Sequence, residues 1–252
     1  MSDSSMIPIE KIIAECDRYF NAGNAPAAGA FLRAWRAKAN VSGDLKAELS
    51  ILNELIGHYR MEKDPGHGIQ AVKDAMQLIN KIGISGSVSA GTIQLNAATA
   101  LCSFGKIDEA LALYRQTEIC YAENLPEDDL LFSGLYNNMA AAYIEKSMYE
   151  KAEELYLQAI DLLDRHRKLM DLAVAYVNLA QLYKRRGDDD DMVFSALDCA
   201  MICFDAEDVP RDGYYAHTCC KCSGAFAELG RTDIQNELDA RASDIYENNS
   251  KS

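Results

Sequence analysis

Proline is rare in this chain, and its few positions are informative. Five occur in 252 residues. Pro8, Pro126 and Pro210 precede or open amphipathic stretches, while Pro26 and Pro65 lie in turns between them. Proline removes an N–H and clashes with the preceding turn, so its absence from the intervals leaves them free to be helical. Ala, Leu, Glu, Lys and Gln, the strong helix formers, are abundant there. Basic charge is also short: 25 Lys and Arg stand against 39 Asp and Glu, a net charge of −14. A surface that tracks phosphates needs a cluster of cations. The densest group, Lys184–Arg185–Arg186, is followed at once by four aspartates, so no nucleic-acid partner is expected.

Long apolar runs are missing as well. None approaches the roughly 20 residues that span a bilayer, so no membrane partner is expected. The opening MSDSSMIPIEK has neither the basic region nor the apolar core of a secretory signal. Eight cysteines without such a signal are expected to be reduced thiols, which points to a cytoplasmic protein. The four histidines include His58, His67 and His166 on separate stretches, with no acid or nucleophile at a catalytic spacing. Gly66–His67–Gly68 lacks the lysine and preceding strand of a phosphate loop. No enzyme activity and no cofactor are expected.

What is present is a repeat. Tyr19, Tyr59, Leu101, Tyr143, Tyr183 and Phe226 recur at intervals of 40, 42, 42, 40 and 43 residues. Nine residues after this anchor stand Ala28, Ala110 and Ala152, and four further on Leu32, Tyr114 and Tyr156. The second unit reads as carrying an insertion, DPGHG, that passes these parts to Ala71 and Ala75. In the fifth, either Met192 or Ala196 leads. Four residues after the anchor come Gly23, Gly105, Gly187 and Gly230, suited to the left-handed residue that ends a helix. Each unit is too small to bury its apolar face alone, so neighbours must stack. The reading is an all-α chain of six helical hairpins at about 8–39, 46–82, 88–121, 128–166, 169–205 and 211–247. They form one repeat domain over 8–247, with residues 1–7 and 248–252 as disordered ends. Gly83–Gly91 is the glycine-rich joint, a hinge or a long turn.

Ala140, Tyr143, Ala152, Tyr156 and Ala159 in the fourth hairpin carry a resemblance to tetratricopeptide (TPR) repeats, extending over nearly the whole chain. The spacing near 42 is similar to the longer kinesin-light-chain type. The first-helix tryptophan of the repeat is absent, since the single Trp, Trp35, falls in a second helix. The resemblance implies a right-handed α-α superhelix whose first helices line a concave groove for a protein or peptide segment.

Five residues before the anchor stand Ala14, Glu54, Asn96, Asn138, Asn178 and Lys221. An amide offers both donor and acceptor, so a row of asparagines can hold the backbone of an extended peptide. The same residues also suit a crowded helix–helix contact. In kinesin-light-chain-like repeats this position resembles the one that faces the groove. Helical geometry adds Thr99, Gln181, Lys184 and Arg185 to that face, with Asn137 beside it and Glu54 and Arg60 extending it. Lys184 and Arg185 are expected to form a cationic end.

The expectation is therefore a non-enzymatic scaffold holding a partner segment. Two other roles fit the same residues: a peptide-sensing regulator acting through a separate effector protein, and a self-assembling structural module. The polar outer face of the last helix favours a monomer. The run from His217 to Cys222, HTCCKC, has metal-ligating types, yet Cys219 and Cys222 sit at interhelical positions where cysteine acts as a small hydrophobe. No metal is expected.

Overall fold

Twelve α-helices and no strand make up residues 7–249, the part of the chain that the computed structural model describes. Two compact units divide it, Met1–Pro126 and Glu127–Ser252. In the first, α1 (Ile9–Asn21) pairs with α2 (Ala25–Ser42), α3 (Leu45–Met61) with α4 (Pro65–Ile82), and α5 (Val88–Ser103) with α6 (Ile107–Asn124). In the second, α7 (Leu131–Glu145) pairs with α8 (Tyr149–Arg165), α9 (Leu169–Arg186) with α10 (Asp190–Asp205), and α11 (Gly213–Glu228) with α12 (Thr232–Asn249). Within the first unit α2 packs on α3, α4 on α5, and α3 against α5; within the second α8 packs on α9, and α9 on α11. The spans lie within a few residues of those expected, and α12 runs to Asn249, past the end expected at 247. Residues 1–6 and 250–252, expected as disordered ends, lie outside the described residues. Among the described residues no helix is long and apolar enough to cross a membrane.

One device closes every hairpin. The carbonyl of each anchor accepts the N–H of the residue five further on: Asn24 to Tyr19, Asp64 to Tyr59, Lys106 to Leu101, Met148 to Tyr143, Asp188 to Tyr183 and Arg231 to Phe226, all at 2.8–3.0 Å. This is the long-range bond of a Schellman cap, and it demands a left-handed residue between. Gly23, Gly105, Gly187 and Gly230 supply it, with φ from 68 to 89°. The second and fourth hairpins use Lys63 and Ser147 instead, at φ 54 and 57°. A side chain in that region is strained. Ser147→Gly is therefore expected to stabilise the chain by about 0.5–1 kcal/mol, read as a higher urea midpoint at unchanged helicity.

The same register corrects two details. Pro26 and Pro65 are not in turns; they sit at the first positions of α2 and α4, after N-caps in which Asn24 and Asp64 accept the N–H of Ala27 and His67. Nor does the second hairpin carry an insertion. α4 begins six residues after Tyr59, as α2 begins six after Tyr19, so Gly68 fills the small position. A Cβ on Gly68 would lie 2.4 Å from the Phe104 ring, so alanine there would require that ring, at the end of α5, to move. In the fifth hairpin Ala196 turns inward and Met192 outward, with Val193 buried beside Ala196. Elsewhere Ala28, Ala110 and Ala152 are fully buried at the crossings, as the spacing predicts. Leu32, Tyr114 and Tyr156 fill the space next to them.

Candidate functional site

The first helices of the second unit, α7, α9 and α11, line an open groove of about 770 Å³. Its residues follow helical arithmetic. α7 contributes Gly134, Asn137, Asn138, Ala141 and Glu145, and α9 contributes Asp171, Val174, Asn178, Gln181, Lys184 and Arg185. Lys221 and Glu228 come from α11, while Tyr156 and Leu163 of α8 close the space from beneath. Each set recurs at three- or four-residue steps, so a single helical face supplies it. Gly134, Ala141 and Val174 are small, which leaves the wall between the amides low.

Asn138, Asn178 and Lys221 occupy one register position on three consecutive first helices, and all three reach this groove. Asn138 Nδ2 donates to the Gly134 carbonyl of its own helix at 2.9 Å, and Asn137 Nδ2 to Ser133 O at 3.1 Å. Asn178 Nδ2 lies 3.5 Å from Asn137 Oδ1, a long bond that ties α9 to α7. These bonds hold the rotamers through the donors. Asn138 and Asn178 are half-buried and these bonds use their amide nitrogens, while Gln181 is exposed beside them.

The cationic end expected from Lys184 and Arg185 is compensated. Lys184 Nζ pairs with Asp190 at 3.0 Å, and Arg185 reaches Glu145 across the groove at 2.7 Å. The Glu145 contact also raises the Arg185 pKa. Both pairs are at least half exposed, so they exchange partners at little cost. Tyr214 Oη donates to Asp171 at 2.5 Å, and burial, together with that contact, pushes the phenol pKa up. Lys221 is the groove cation for which no carboxylate of the described residues stands in ion-pairing range. Asp171, Val174 and Gly134 escape the sequence reading because helical steps taken forward from each asparagine miss the residues four and seven positions behind it.

Of the residues named in the first unit, Asn96 and Thr99 have bonding partners of their own. Asn96 Nδ2 donates to both the backbone O and Oδ1 of Asn53, each at 3.0 Å, which ties α5 to α3. Here the amide takes the helix–helix role. Thr99 donates to Leu95 O at 2.9 Å and accepts from the buried Tyr114 at 3.2 Å, so it belongs to the hairpin interior. Glu54 is half-buried, which raises its pKa; a contact with Asn53 lowers it, and Asp17 raises it further. Arg60 is half-buried on the same helix.

The cysteine cluster separates. Cys219 and Cys222 are buried, with burial pushing their thiols up to about 11 and about 12, while Cys220 and His217 face solvent. Cys203 on α10 is likewise buried and raised to about 11. Thiols so poised are poor nucleophiles and poor ligands. Among the described residues no group of three or more His, Cys, Asp or Glu side chains is arranged to hold a metal ion. The aspartate run is spent locally: Asp188 pairs with Arg186 at 2.6 Å, Asp190 with Lys184, and Asp189 accepts the N–H of Asp191 at the start of α10.

No protein-family model matches the chain, and no curated protein matches it. Solved structures do. Crystal structures of putative kinesin light chain nearly identical TPR-like repeats from Podosopora anserina are 17% identical over 80% of this chain and 97–98% of theirs, with TM-scores of 0.67 and 0.66. BtubC (BKLC) from P. vanneervenii is 18% identical over 97% of this chain and 93% of its own, with a TM-score of 0.58. A signal transduction ATPase with a tetratricopeptide repeat sensor, from Pyrococcus horikoshii, matches 93% of this chain with 35% of its own, at 14% identity and a TM-score of 0.64. The fold is the all-α, TPR-like helical repeat that the spacing predicts, of the kind seen in kinesin-light-chain-like repeats.

Proposed function

We propose that this TPR-like chain is a non-enzymatic protein-interaction scaffold, and that the groove of its second unit holds an extended segment of a partner protein. The row Asn138, Asn178 and Lys221 carries the reading: one register position on three successive first helices places two amides and an ammonium along a single groove. Amides bond backbone groups whatever the side chains of the ligand. Gly134, Ala141 and Val174 leave room for those side chains, and the anchored rotamers lower the entropy lost on binding. Asn96 is left out of the site because it belongs to the first unit and does not line this groove.

Random peptides displayed on phage and panned against the full chain test this directly. Asn138→Ala with Asn178→Ala is expected to weaken the enriched peptides about ten-fold or more, at an unchanged unfolding midpoint, since each lost backbone bond is worth about 1 kcal/mol. Peptides that bind the double variant as well as the parent would place the binding surface elsewhere.

A further inference from the structure

His58 lies in the first unit, away from the groove, in a seat unusual for a histidine. It belongs to α3 and is only 4% exposed. Its Nδ1 is buried without a hydrogen-bond partner. The ring edge rests on the backbone of α2 at Gly29, so closely that a Cβ there would lie 2.2 Å from Nε2 and 2.7 Å from Cε1. Phe20 of α1 and Tyr59 of α3 complete the seat, at ring-centroid distances of 6.1 and 5.4 Å. Such a place accepts a neutral imidazole. A second proton on the ring would place charge beside a buried nitrogen that has no protein acceptor.

Beside the seat is a cavity of about 470 Å³, lined by His58 itself and by Arg33, Glu62, Asp64 and His67. Charged groups reach the ring from each neighbouring element that carries one: Arg33 from α2, Glu62 at the end of α3, and Asp64 from the turn into α4. His67 of α4 is exposed, stacks on Tyr59 and bonds Asp64 at 2.6 Å. The two carboxylates favour an imidazolium in the cavity, and Arg33 opposes it. The seat suits the neutral ring, and the cavity beside it carries the charges that suit the protonated one.

We propose that His58 is an acid-sensitive latch: neutral, it holds α2 against α3 over Gly29, and protonated, it swings into the carboxylate-lined cavity and loosens the first hairpin. Burial lowers the affinity of the seated ring for its proton, outweighing the carboxylates. The sign follows. The unfolded chain binds a proton near pH 6.5 and the seated ring only below that, so the stability contributed by the seat is present above about pH 6.5 and is lost as pH falls below it.

Trp35, the single tryptophan, is half-buried on α2 with Lys38 Nζ 4.1 Å over its ring, and it reports on the latch. As pH falls from about 7.5 to about 5, its emission is expected to shift to the red and become more accessible to acrylamide. His58→Gln is expected to abolish that transition, while His67→Gln retains it. A transition that persists in His58→Gln, or that is missing from the parent chain, overturns the proposal. Should His58→Gln fail to fold, ring-labelled NMR of a variant lacking the other three histidines measures His58 directly. An apparent pKa below about 6.5, with chemical-shift changes that spread to α2, supports the latch; a value at or above about 6.5 overturns it.

Discussion

Tyr156→Ala is expected to destabilise the protein by about 3–5 kcal/mol, lowering the urea midpoint by about 1–2 M at the slope usual for domains of this size. Tyr156 is 3% exposed and lies four residues beyond Ala152, which is fully buried at the α7–α8 crossing. The two act as a pair. Alanine lets the helix backbones approach, and the ring fills the wedge that opens beyond the point of closest contact. Truncating the ring removes the transfer term and leaves a void that the short Ala152 contact keeps from collapsing. Tyr156→Phe separates packing from the hydroxyl, with an expected cost of about 1 kcal/mol or less. Because Tyr156 also floors the groove, the alanine variant should lose peptide capture together with stability. Asn138→Ala should lose capture alone: its amide N–H bonds only the Gly134 carbonyl of its own helix, and surface substitutions of that kind fall within about 0.5 kcal/mol.

That contrast explains how far the sequence could be read. Tyr143, Ala152, Tyr156 and Ala159 were legible because packing acts on residue size at fixed helical spacing, and size is written in the residue type. The anchor proved more exact than its own conservation of type suggested. Leu101 and Phe226 close their hairpins with the same backbone bond as the four tyrosines, because a Schellman cap uses a carbonyl, which every residue has. The misreadings have the same origin. The DPGHG run reads as an insertion that moves the small position to Ala71, because alanine is the usual small residue of a crossing; Gly68 fills it, where a side chain would meet the Phe104 ring. Lys63 and Ser147 gave no sign of their left-handed conformations, since nothing in those side chains asks for one.

The site was legible in register and illegible in pairing. Asn96 and Asn138 occupy the same place in the repeat, yet Asn96 is committed to Asn53 on the neighbouring helix and Asn138 to its own helix. The difference lies one residue away. Asparagine precedes Glu54 on α3, and its backbone and side-chain oxygens together capture both hydrogens' worth of the Asn96 amide. Lys184 and Arg185 read as free cations because their partners, Asp190 and Glu145, lie six residues and one repeat away. Local sequence does not say which carboxylate of an acidic chain a given exposed cation meets. Lys221 stands in the same register row, and among the described residues it lacks the carboxylate partners that Lys184 and Arg185 have.

The first unit offers the second large effect, at Arg36. Arg36→Met is expected to cost about 3 kcal/mol, although the substituted side chain is about a third exposed, 31%. The reason is Glu48, whose side chain is only 6% exposed on α3. Arg36 of α2 holds it at 3.5 Å through Nε and reaches Asp74 of α4 at 2.5 Å through a terminal nitrogen, so one guanidinium ties three helices. Asn40 Nδ2 at 3.4 Å from Glu48 and Gln70 Nε2 at 2.7 Å from Asp74 complete the network. Removing the guanidinium leaves a buried carboxylate with one long amide contact, and the penalty is that of the orphaned charge rather than of the lost attraction. Lysine cannot repair this, because a single ammonium cannot fork to both acids; Arg36→Lys should recover less than half of the loss. Removing the orphan should recover more. Arg36→Met combined with Glu48→Leu and Asp74→Asn is expected to melt within a few degrees of the parent chain, since an apolar replacement of a buried ionic group is often neutral. Thermal denaturation of the four proteins decides the point. If the triple variant melts no higher than Arg36→Met alone, the guanidinium contributes through its packed stem, and the charge network is incidental to the stability of the first unit.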